Sequence, residues 1–334
     1  MAIDTDRWSA ELRAAAIDLE GGRLLVTNFR GTLQEHDLTE PANCNGFGRI
    51  RHFRRQISSG WPENPLPIDP AGKALGLPHA DLLRAQVFQN AVCSWRCWYC
   101  FVPYALLRAD RKHSDWVSPE ALLDLYLAQE NPSPVIDLSG GQPDLIPEWV
   151  PWMMATLTRR GLQGKVYLWS DDNLSNDYFW RYLSEDQREL VGGFRNYGRV
   201  GCIKGFSEES FSFNTGANPA LFGRQFELIR RFLSSGIDMY CYVTLTCRKH
   251  EGILDDVRRF VDRLQDVDEN LPLRTVPLKI EVFTPVEARL RGRNSCELKN
   301  QWTAVEAWQR ELSDRFSLGL RALPITEIPL KDGN

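Results

Sequence analysis

Residues 84–100 read RAQVFQNAVCSWRCWYC and join a predicted strand to three closely spaced cysteines. The strand, 84–89, leads into Cys93, Cys97 and Cys100, whose spacings are four and three residues. A loop of this length can wrap three thiolates around one metal centre, and thiolate is a soft ligand that favours zinc or iron–sulfur clusters. Three ligands on a four-iron cluster also leave one iron open for a further molecule. The stretch therefore predicts a metal centre at the end of a strand.

Downstream of the cysteines, predicted strands and helices alternate along the chain. The further predicted strands are 135–138, 165–170, 199–204, 237–247 and 278–283. The predicted helices are 119–129 with Ser118 as its N-cap, 148–160, 220–235, 253–265 and 301–316. Strands joined by helical crossovers pair in parallel, so the predicted fold class is α/β, either a barrel or an open sheet.

The residues before the cysteine loop show no clear repeating pattern. A helix is predicted at 8–19 and a strand at 24–27. A proline-rich connector, 62–78, is expected to be extended and irregular because proline fixes φ and removes a donor, and we place a boundary there. The predicted parts are an N-terminal extension or cap at 1–80, the α/β part at 81–290 and a C-terminal helical segment at 291–334.

The most basic segment of the chain is 46–55. The interpretation we favour for it is a solvated basic loop. If it instead folded over the metal centre, its charged side chains would suit a phosphate or a carboxylate. Those side chains are Arg49, Arg51, His52, Arg54 and Arg55.

The composition of the 334 residues is that of a globular protein, with 43% hydrophobic and 25% charged residues. No run approaches the roughly 18 apolar residues of a membrane span. The first residues include acids and Trp8 where a signal peptide has basic and then apolar residues, which predicts a cytoplasmic location. In that compartment the eight cysteines are expected to stay reduced. The net charge of −4 argues against bulk binding to nucleic acid.

The three-cysteine loop resembles the hallmark of the radical SAM superfamily, including an aromatic residue, Tyr99, just before the last cysteine. The resemblance implies a partial (β/α)6 barrel and one 4Fe–4S cluster held by Cys93, Cys97 and Cys100. It implies that S-adenosylmethionine (SAM) chelates the open iron and is cleaved reductively to a 5′-deoxyadenosyl radical, which abstracts a hydrogen atom from the substrate. An electron donor such as flavodoxin or ferredoxin is implied as a partner.

Other segments at predicted strand ends agree with this resemblance. Ser139-Gly140-Gly141-Gln142-Pro143 is similar to the family's Gly-Gly-Glu-Pro segment, whose backbone meets the methionine amino group, with Gln142 in place of Glu. The resemblance further implies contacts with the ribose or methionine from the end of the third strand and with adenine from the end of the sixth. The residues implied are Ser170, Asp172 and Asn173, and Val282 and Phe283. The alternative for the three polar residues is a role in turn formation. The alternative for Val282 and Phe283 is packing in the hydrophobic core.

The fourth predicted strand is similar to that of the activating-enzyme branch of the superfamily. It ends at Lys204 and is followed by a loop that ends in Thr215-Gly216. The match implies that Lys204 pairs with the SAM carboxylate, although Cys202 stands where that branch has Asp. It implies a protein or peptide substrate, as in glycyl-radical activation; a small metabolite or nucleotide is the alternative, and a nucleic-acid substrate is disfavoured.

A second class of function remains open from the residues alone. A non-catalytic zinc or iron–sulfur module would also use the three cysteines, and its fourth ligand would come from His113, the nearest histidine. An auxiliary cluster is not expected. Cys241 and Cys247 lie six residues apart on one predicted strand, roughly 20 Å at about 3.3 Å per residue.

Overall fold

The computed structural model describes residues 4–290 and 296–331. The strands are β1 Ile17–Asp18, β2 Arg23–Thr27, β3 Gly48–Arg54, β4 Leu82–Phe88, β5 Ser114–Val117, β6 Val135–Leu138, β7 Tyr167–Asp172, β8 Tyr197–Ile203, β9 Met239–Val243 and β10 Thr275–Pro277. The helices are α1 Thr5–Ala16, α2 Ile68–Leu75, α3 Pro119–Leu127, α4 Trp149–Arg159, α5 Tyr178–Tyr182, α6 Glu185–Gly193, α7 Glu208–Thr215, α8 Phe222–Leu233, α9 Ile253–Val267, α10 Thr284–Leu290, α11 Cys296–Arg315 and α12 Leu318–Arg321.

The main sheet has seven strands in the order β10-β9-β8-β7-β6-β4-β3. Neighbouring strands from β10 to β4 pair in parallel, and β3 pairs antiparallel with β4 at one edge. A smaller antiparallel sheet has the order β1-β2-β5. The α/β class and the parallel arrangement are therefore confirmed.

The predicted strand at 278–283 is wrong. The last strand, β10, lies earlier, and the chain then runs irregularly until α10 begins at Thr284. The reason is a side chain: the backbone N–H and C=O of Ile280 bond to the amide of Gln301 on α11, at 3.0 and 3.1 Å. These bonds satisfy backbone groups that a strand would have paired with its neighbour.

Successive residues of the central strands face two different hydrophobic layers, as the period of two requires. On β7, Leu168 packs with the helices on the outer face, whereas Trp169 packs inside the sheet. The inner layer also holds Phe53 of β3 and Ile68 of α2. The sheet therefore encloses a side-chain interior on its inner face.

The proline-rich connector joins the two edges of this sheet. Trp61, which follows β3, is buried and donates from its indole nitrogen to the carbonyl of Pro277 on β10 at 3.1 Å. Tyr242 on β9 donates from its hydroxyl to the carbonyl of Leu66 at 3.1 Å. Because the connector spans from β3 to the opposite edge, the sheet is curled into a half-barrel, with α2 across its inside.

The basic segment is a strand, so its interpretation as a solvated loop is wrong. Residues 48–54 form β3, in which Gly48 to Arg54 pair with Phe88 to Leu82. Alternation along β3 places Arg49 and Arg51 on the same face as Phe53, inside the half-barrel, and Arg49 is only 8% exposed. β3 falls within the predicted extension 1–80 and yet belongs to the main sheet, and α2, from the same extension, packs on its inner face. The three-part division itself stays a prediction.

Across the described residues, no helix combines the length and apolar character needed to cross a membrane.

A buried ion pair ties the first helix to α4. Arg13 on α1 donates to the carboxylate of Glu148 at 2.8 Å and to the carbonyl of Leu145 at 2.9 Å. The side chains of Arg13 and Glu148 are 7% and 5% exposed. Truncating one partner leaves the other charge buried and unpaired, which costs far more than the pair contributes net.

We expect Arg13→Met to lower the free energy of unfolding by about 3 kcal/mol, because it leaves Glu148 buried without its cation. Urea denaturation would measure the change. Arg7→Met is the control, since the ion pair of Arg7 with Glu11 is exposed on the surface of α1 and should matter by less than about 0.5 kcal/mol. Equal losses in the two variants would contradict this account.

Candidate metal and cofactor site

The three cysteines lie together at the carboxyl end of β4. Cys93 and Cys97 are buried and Cys100 is half-buried. Burial raises the pKa of each thiol, that of Cys97 to about 11, and nearby Lys204 acts in the opposite direction on Cys97 and Cys100. Among the residues that the structure describes, no three His, Cys, Asp or Glu side chains are grouped as ligands of a single metal ion. The donor set itself, three thiols with cations around them, has the chemistry of a thiolate-ligated iron–sulfur centre.

The end of α7 holds the middle of the cysteine loop by backbone pairing. The amide of Arg96 donates to the carbonyl of Thr215 at 3.0 Å, and the amide of Trp98 donates to the carbonyl of Asn214 at 3.2 Å. The indole of Trp98 donates to the Asn214 side chain at 3.0 Å. The segment that ends in Thr215-Gly216, which the sequence predicted to be a loop, is therefore the helix α7, and its last residues pack directly on the cysteine loop.

Arg289 on α10 clamps the other side of the loop. Its guanidinium donates to the carbonyls of Cys100 at 2.5 Å and Val102 at 3.0 Å. It also stacks 3.8 Å above the ring of Tyr104, whose hydroxyl donates to the carbonyl of Cys97 at 2.8 Å. Sequence reasoning missed both residues. They lie outside any motif, and the contact between Arg289 and Cys100 joins positions 189 residues apart in the chain.

The two glycines after β6 lie against the start of the cysteine loop. Gly140 and Gly141 have φ of +82° and +64°, a region that favours glycine. A Cβ on Gly141 would lie 2.3 Å from the carbonyl oxygen of Asn90. The side-chain oxygen of Asn90 accepts a hydrogen bond from the amide of Gln142 at 2.9 Å. Glycine is thus required at both positions, because φ is positive there and because residues 89 and 90 lie too close to leave room for a side chain.

Gln142 uses both ends of its amide. Its oxygen accepts from the amide and the hydroxyl of Ser94, at 2.8 and 3.0 Å. Its nitrogen donates to Asp144 at 3.1 Å and to Ser175 at 2.6 Å. A glutamate carries no donor when ionised, so this network explains why Gln stands where the resembled family has Glu. Pro143 follows and begins a short 3-10 turn that ends at Leu145.

The residues singled out at the end of β7 separate onto two faces. The Ser170 hydroxyl lies 2.8 Å from that of Tyr197, and Asp172 accepts from Arg199 at 2.6 Å, both in the layer beneath the helices. Asn173 instead reaches the cysteine loop, with its side-chain nitrogen 3.9 Å from the sulfur of Cys93.

Lys204 follows β8 and lies between the cysteines and the interior. Burial disfavours its charged form, but Cys202, Cys97 and Asp171 together raise the pKa of the amine. Directly after β9, Thr244 lies with its hydroxyl 3.1 Å from that of Tyr99. The structure thus brings Lys204 to the cysteine loop and places Thr244 against Tyr99 within that loop.

The two apolar residues expected near adenine differ in their surroundings. The ring of Phe283 lies 6.1 Å from that of Phe101, directly after the last cysteine. Val282 is 44% exposed. Only Phe283 therefore contacts the cysteine loop.

Sequence reasoning did not bring together a set of polar side chains that face the inside of the half-barrel, the interior cluster, and it did not single out Asp137 or Asp171. The members of this cluster are Asp137, Ser139, Asp171, Arg49 and Arg51. Burial and the nearby Asp171 raise the pKa of Asp137 to about 7, while Arg51 and Arg49 act in the opposite direction. Burial and Arg51 lower the pKa of Arg49 to about 10. A signal was present, since Asp137 interrupts the otherwise apolar strand Val-Ile-Asp-Leu.

His113, the expected fourth ligand of a zinc site, does not reach the cysteines. Its Nδ1 lies 2.7 Å from the carboxylate of Asp110. A groove of about 940 Å³ opens at the amino ends of the strands and is lined in part by Ile68, Trp308 and Ile325. It lies away from the cysteine loop.

No protein-family model matches this chain, and no curated protein matches it. Among solved structures, Streptococcus suis SuiB bound to S-adenosylmethionine aligns with 16% identity and a TM-score of 0.36, over 53% of this chain and 37% of SuiB. SuiB bound to the precursor peptide SuiA aligns with 17% identity and a TM-score of 0.36, over 53% and 36%. The alignment thus spans little more than a third of the length of SuiB.

We expect Gln142→Glu to destabilise the protein by about 2 kcal/mol at neutral pH, because an ionised carboxylate cannot donate to Asp144 and repels it. The loss should shrink as the pH falls toward 5, where a protonated Glu regains one donor. Urea denaturation of the variant and the wild type at several pH values measures both effects. A loss that does not vary with pH would contradict the charge-based explanation.

Proposed function

We propose that this chain is a radical SAM enzyme. The observation that carries the proposal is the placement of three thiols on one loop at the carboxyl end of a parallel strand, with the Gly140-Gly141 backbone against the start of that loop and Lys204 beside Cys97. Ligands of α/β folds bind at the carboxyl ends of parallel strands, where these segments meet.

Cys93, Cys97 and Cys100 would hold a 4Fe–4S cluster. When bound, the cluster supplies one electron that cleaves SAM to methionine and a 5′-deoxyadenosyl radical, which abstracts a hydrogen atom from the substrate. The chain positions the thiols through contacts from Asn214 on one side and Arg289 on the other. Neither of these contacts involves a cysteine sulfur, so both leave the thiols available as ligands.

The chain's own residues would bind and orient SAM. Lys204 would pair with the carboxylate of SAM, since its neighbours favour the charged amine. The backbone at Gly140 and Gly141, and the segment Ser139 to Pro143 as a whole, would meet the amino group. Asn173 and Tyr99 would complete the site near the cysteines.

The remaining candidates have less direct support. Ser170 and Asp172 bond to Tyr197 and Arg199 and would act by fixing the end of β7. Phe283 would pack near adenine beside Phe101, with Val282 at the outer edge.

We further propose a cytoplasmic oxidoreductase that takes its electron from a flavodoxin or a ferredoxin. Both of these are small one-electron carriers, as the cleavage of SAM requires. The activating-enzyme-like features of the sequence favour a protein or peptide substrate, whereas the polar interior of the half-barrel favours a small molecule. The alternative function is a non-catalytic metal module, and the iron and zinc contents measured below distinguish it from the enzyme.

We expect Cys97→Ala to lose its iron and its cleavage of SAM, because one of three cluster ligands is removed. Anaerobically reconstituted wild type should bind about four irons and release 5′-deoxyadenosine with a reductant. Cys296→Ala is the control. Cys296 begins α11 and its thiol donates to the carbonyl of Arg248, so replacing it should leave the iron content unchanged. Retained cleavage in Cys97→Ala would refute the ligand assignment, and one zinc in place of iron would favour the non-catalytic module.

We expect Lys204→Met to weaken SAM binding about tenfold while the iron content stays at the wild-type value, since the lost interaction is one charged hydrogen bond. Equilibrium dialysis with SAM and an iron assay measure the two quantities. Lys249→Met is a matched control, because Lys249 is exposed and pairs only with Glu209 on the surface. An unchanged SAM affinity in Lys204→Met would remove this residue from the site.

A further inference from the structure

The interior cluster lies in successive layers beneath Lys204. Asp137 pairs in register with Trp169, so Asp171 lies two residues further along the sheet, about 7 Å nearer the carboxyl ends. On the antiparallel edge, Arg49 pairs with Val87, which in turn pairs with Asp137. Two carboxylates and two guanidiniums therefore share one small volume inside the half-barrel.

Several polar atoms of this cluster are buried without a hydrogen-bond partner. Asp137 has no exposed surface, and neither of its carboxylate oxygens accepts a hydrogen bond. The hydroxyl of Ser139 and the Nε of Arg49 are likewise unpartnered. The nearest guanidinium nitrogen of Arg51 lies 3.6 Å from a carboxylate oxygen of Asp137, which is too far for a hydrogen bond. Such groups cost free energy to bury, and their grouping points to a ligand that supplies the missing partners.

The interior is also open toward the proposed cluster site. The side chain of Arg51 is 28% exposed although it faces inward. Asp171 and Lys204 are half-buried, and Lys204 is the neighbour shared by Asp171 and Cys97. A molecule bound at Asp137 would therefore lie beneath the site proposed for SAM.

We propose that the interior cluster binds the substrate, and that the bound group is a small zwitterion of the α-amino-acid class. The assignment rests on the proposed function, because it takes the reacting molecule to lie next to SAM. Asp137 and Asp171 would accept hydrogen bonds from the ammonium group. Arg49 and Arg51 would donate to the carboxylate.

The charges of the cluster select this class of ligand. Its two carboxylates and two guanidiniums balance, so a ligand with both charges satisfies all four groups without leaving a net charge buried. A dianion would meet Asp137 and Asp171 as repulsive neighbours, and a simple amine would leave Arg49 and Arg51 unpaired. A residue within a peptide has neither a free ammonium nor a free carboxylate on its backbone.

The probes are free L-amino acids at millimolar concentration, together with their amides, their N-acetyl derivatives and the doubly blocked forms. A ligand that binds only the folded protein raises its melting temperature. We expect one or more free amino acids to raise the melting temperature of the anaerobically reconstituted protein, and each blocked form to raise it less. No shift with any free amino acid, or an equal shift with the doubly blocked form, overturns the proposal; the second result would point to a peptide.

Asp137→Asn tests the cluster directly. We expect the variant to bind the selected amino acid about tenfold more weakly, because a carboxylate that accepts from the ammonium is lost. Without ligand, the variant should melt at a higher temperature than the wild type, since an unpartnered buried carboxylate is removed. Unchanged affinity, or a lower melting temperature in the absence of ligand, contradicts the role of Asp137 as a ligand group.

The pH dependence gives a second measure of the same carboxylate. The pKa of Asp137 is raised to about 7 by burial and Asp171, against the pull of Arg49 and Arg51. A raised pKa means that the folded state binds the proton more tightly, so the stability contributed by this group falls as the pH rises from about 4 to about 7. The gain in melting temperature of Asp137→Asn over wild type should therefore grow across that interval. A difference that stays constant with pH would contradict the burial of an unpartnered Asp137 carboxylate in the interior.

Glu148→Gln is the matched control. It replaces an equally buried carboxylate that has its partner, Arg13, and lies outside the interior. We expect a lower melting temperature and an unchanged affinity for the amino acid. SAM cleavage by the wild type is measured separately, so its absence refutes the proposed function, whereas its presence without amino-acid binding refutes only the substrate class.

Discussion

The close approach of two backbone segments, after β4 and after β6, is the constraint on which the candidate site depends. At Gly141 the chain passes so near the carbonyl of Asn90 that no side chain fits between them. Asn90 and Gln142 then bond across the gap, and Gln142 continues to Ser94, inside the cysteine loop. A loop that carries three thiols is thereby fixed at its first residues to the carboxyl edge of the parallel sheet.

The cysteine loop is held mainly through its backbone. The backbone carbonyl of Asn214 accepts from the amide of Trp98, and its side-chain oxygen accepts from the indole of the same residue. On the other side, the guanidinium of Arg289 donates to the carbonyl of Cys100. Because α7 follows β8 and α10 follows β10, both contacts reach the loop after β4 from the other half of the sheet. The connector from Trp61 to Leu66, which reaches β10 and β9, is the part of the chain that joins the two edges.

Closing the sheet also places charged side chains in its interior, although the neighbouring residues of the same strands are apolar. Asp137 lies in a strand of apolar residues, and Arg49 lies on an edge strand whose inner face also carries Phe53. Buried charges of this kind lower the stability of a fold unless a ligand or a partner satisfies them, and strained or unsatisfied groups concentrate at functional sites. The same carboxylates and guanidiniums that cost stability are the groups suited to hold a charged molecule.

Local sequence patterns were enough to predict much of the α/β scaffold. β6 lies where its apolar run predicts, Ser118 caps α3 as expected, and the three cysteines follow β4. These features depend on neighbours within a few residues, whose side-chain period and capping groups are visible in the chain itself. The prediction of a strand at 278–283 was wrong because the side chain of the distant Gln301 bonds to the backbone there in place of a strand partner. The prediction of a solvated loop at 46–55 was wrong because charged residues were taken to be exposed to solvent.

The amino-acid sequence by itself determined the strand–helix alternation, the cysteine loop and the glycine turn that faces it. Only the tertiary structure decided that Ser170 and Asp172 face the helices while Asp171 faces inward, that Arg289 clamps the loop, and that Arg49 enters the interior. The physical reason is the period of two in a strand: a shift of one residue exchanges the two faces, and the face that becomes the interior is set by the closure of the whole sheet.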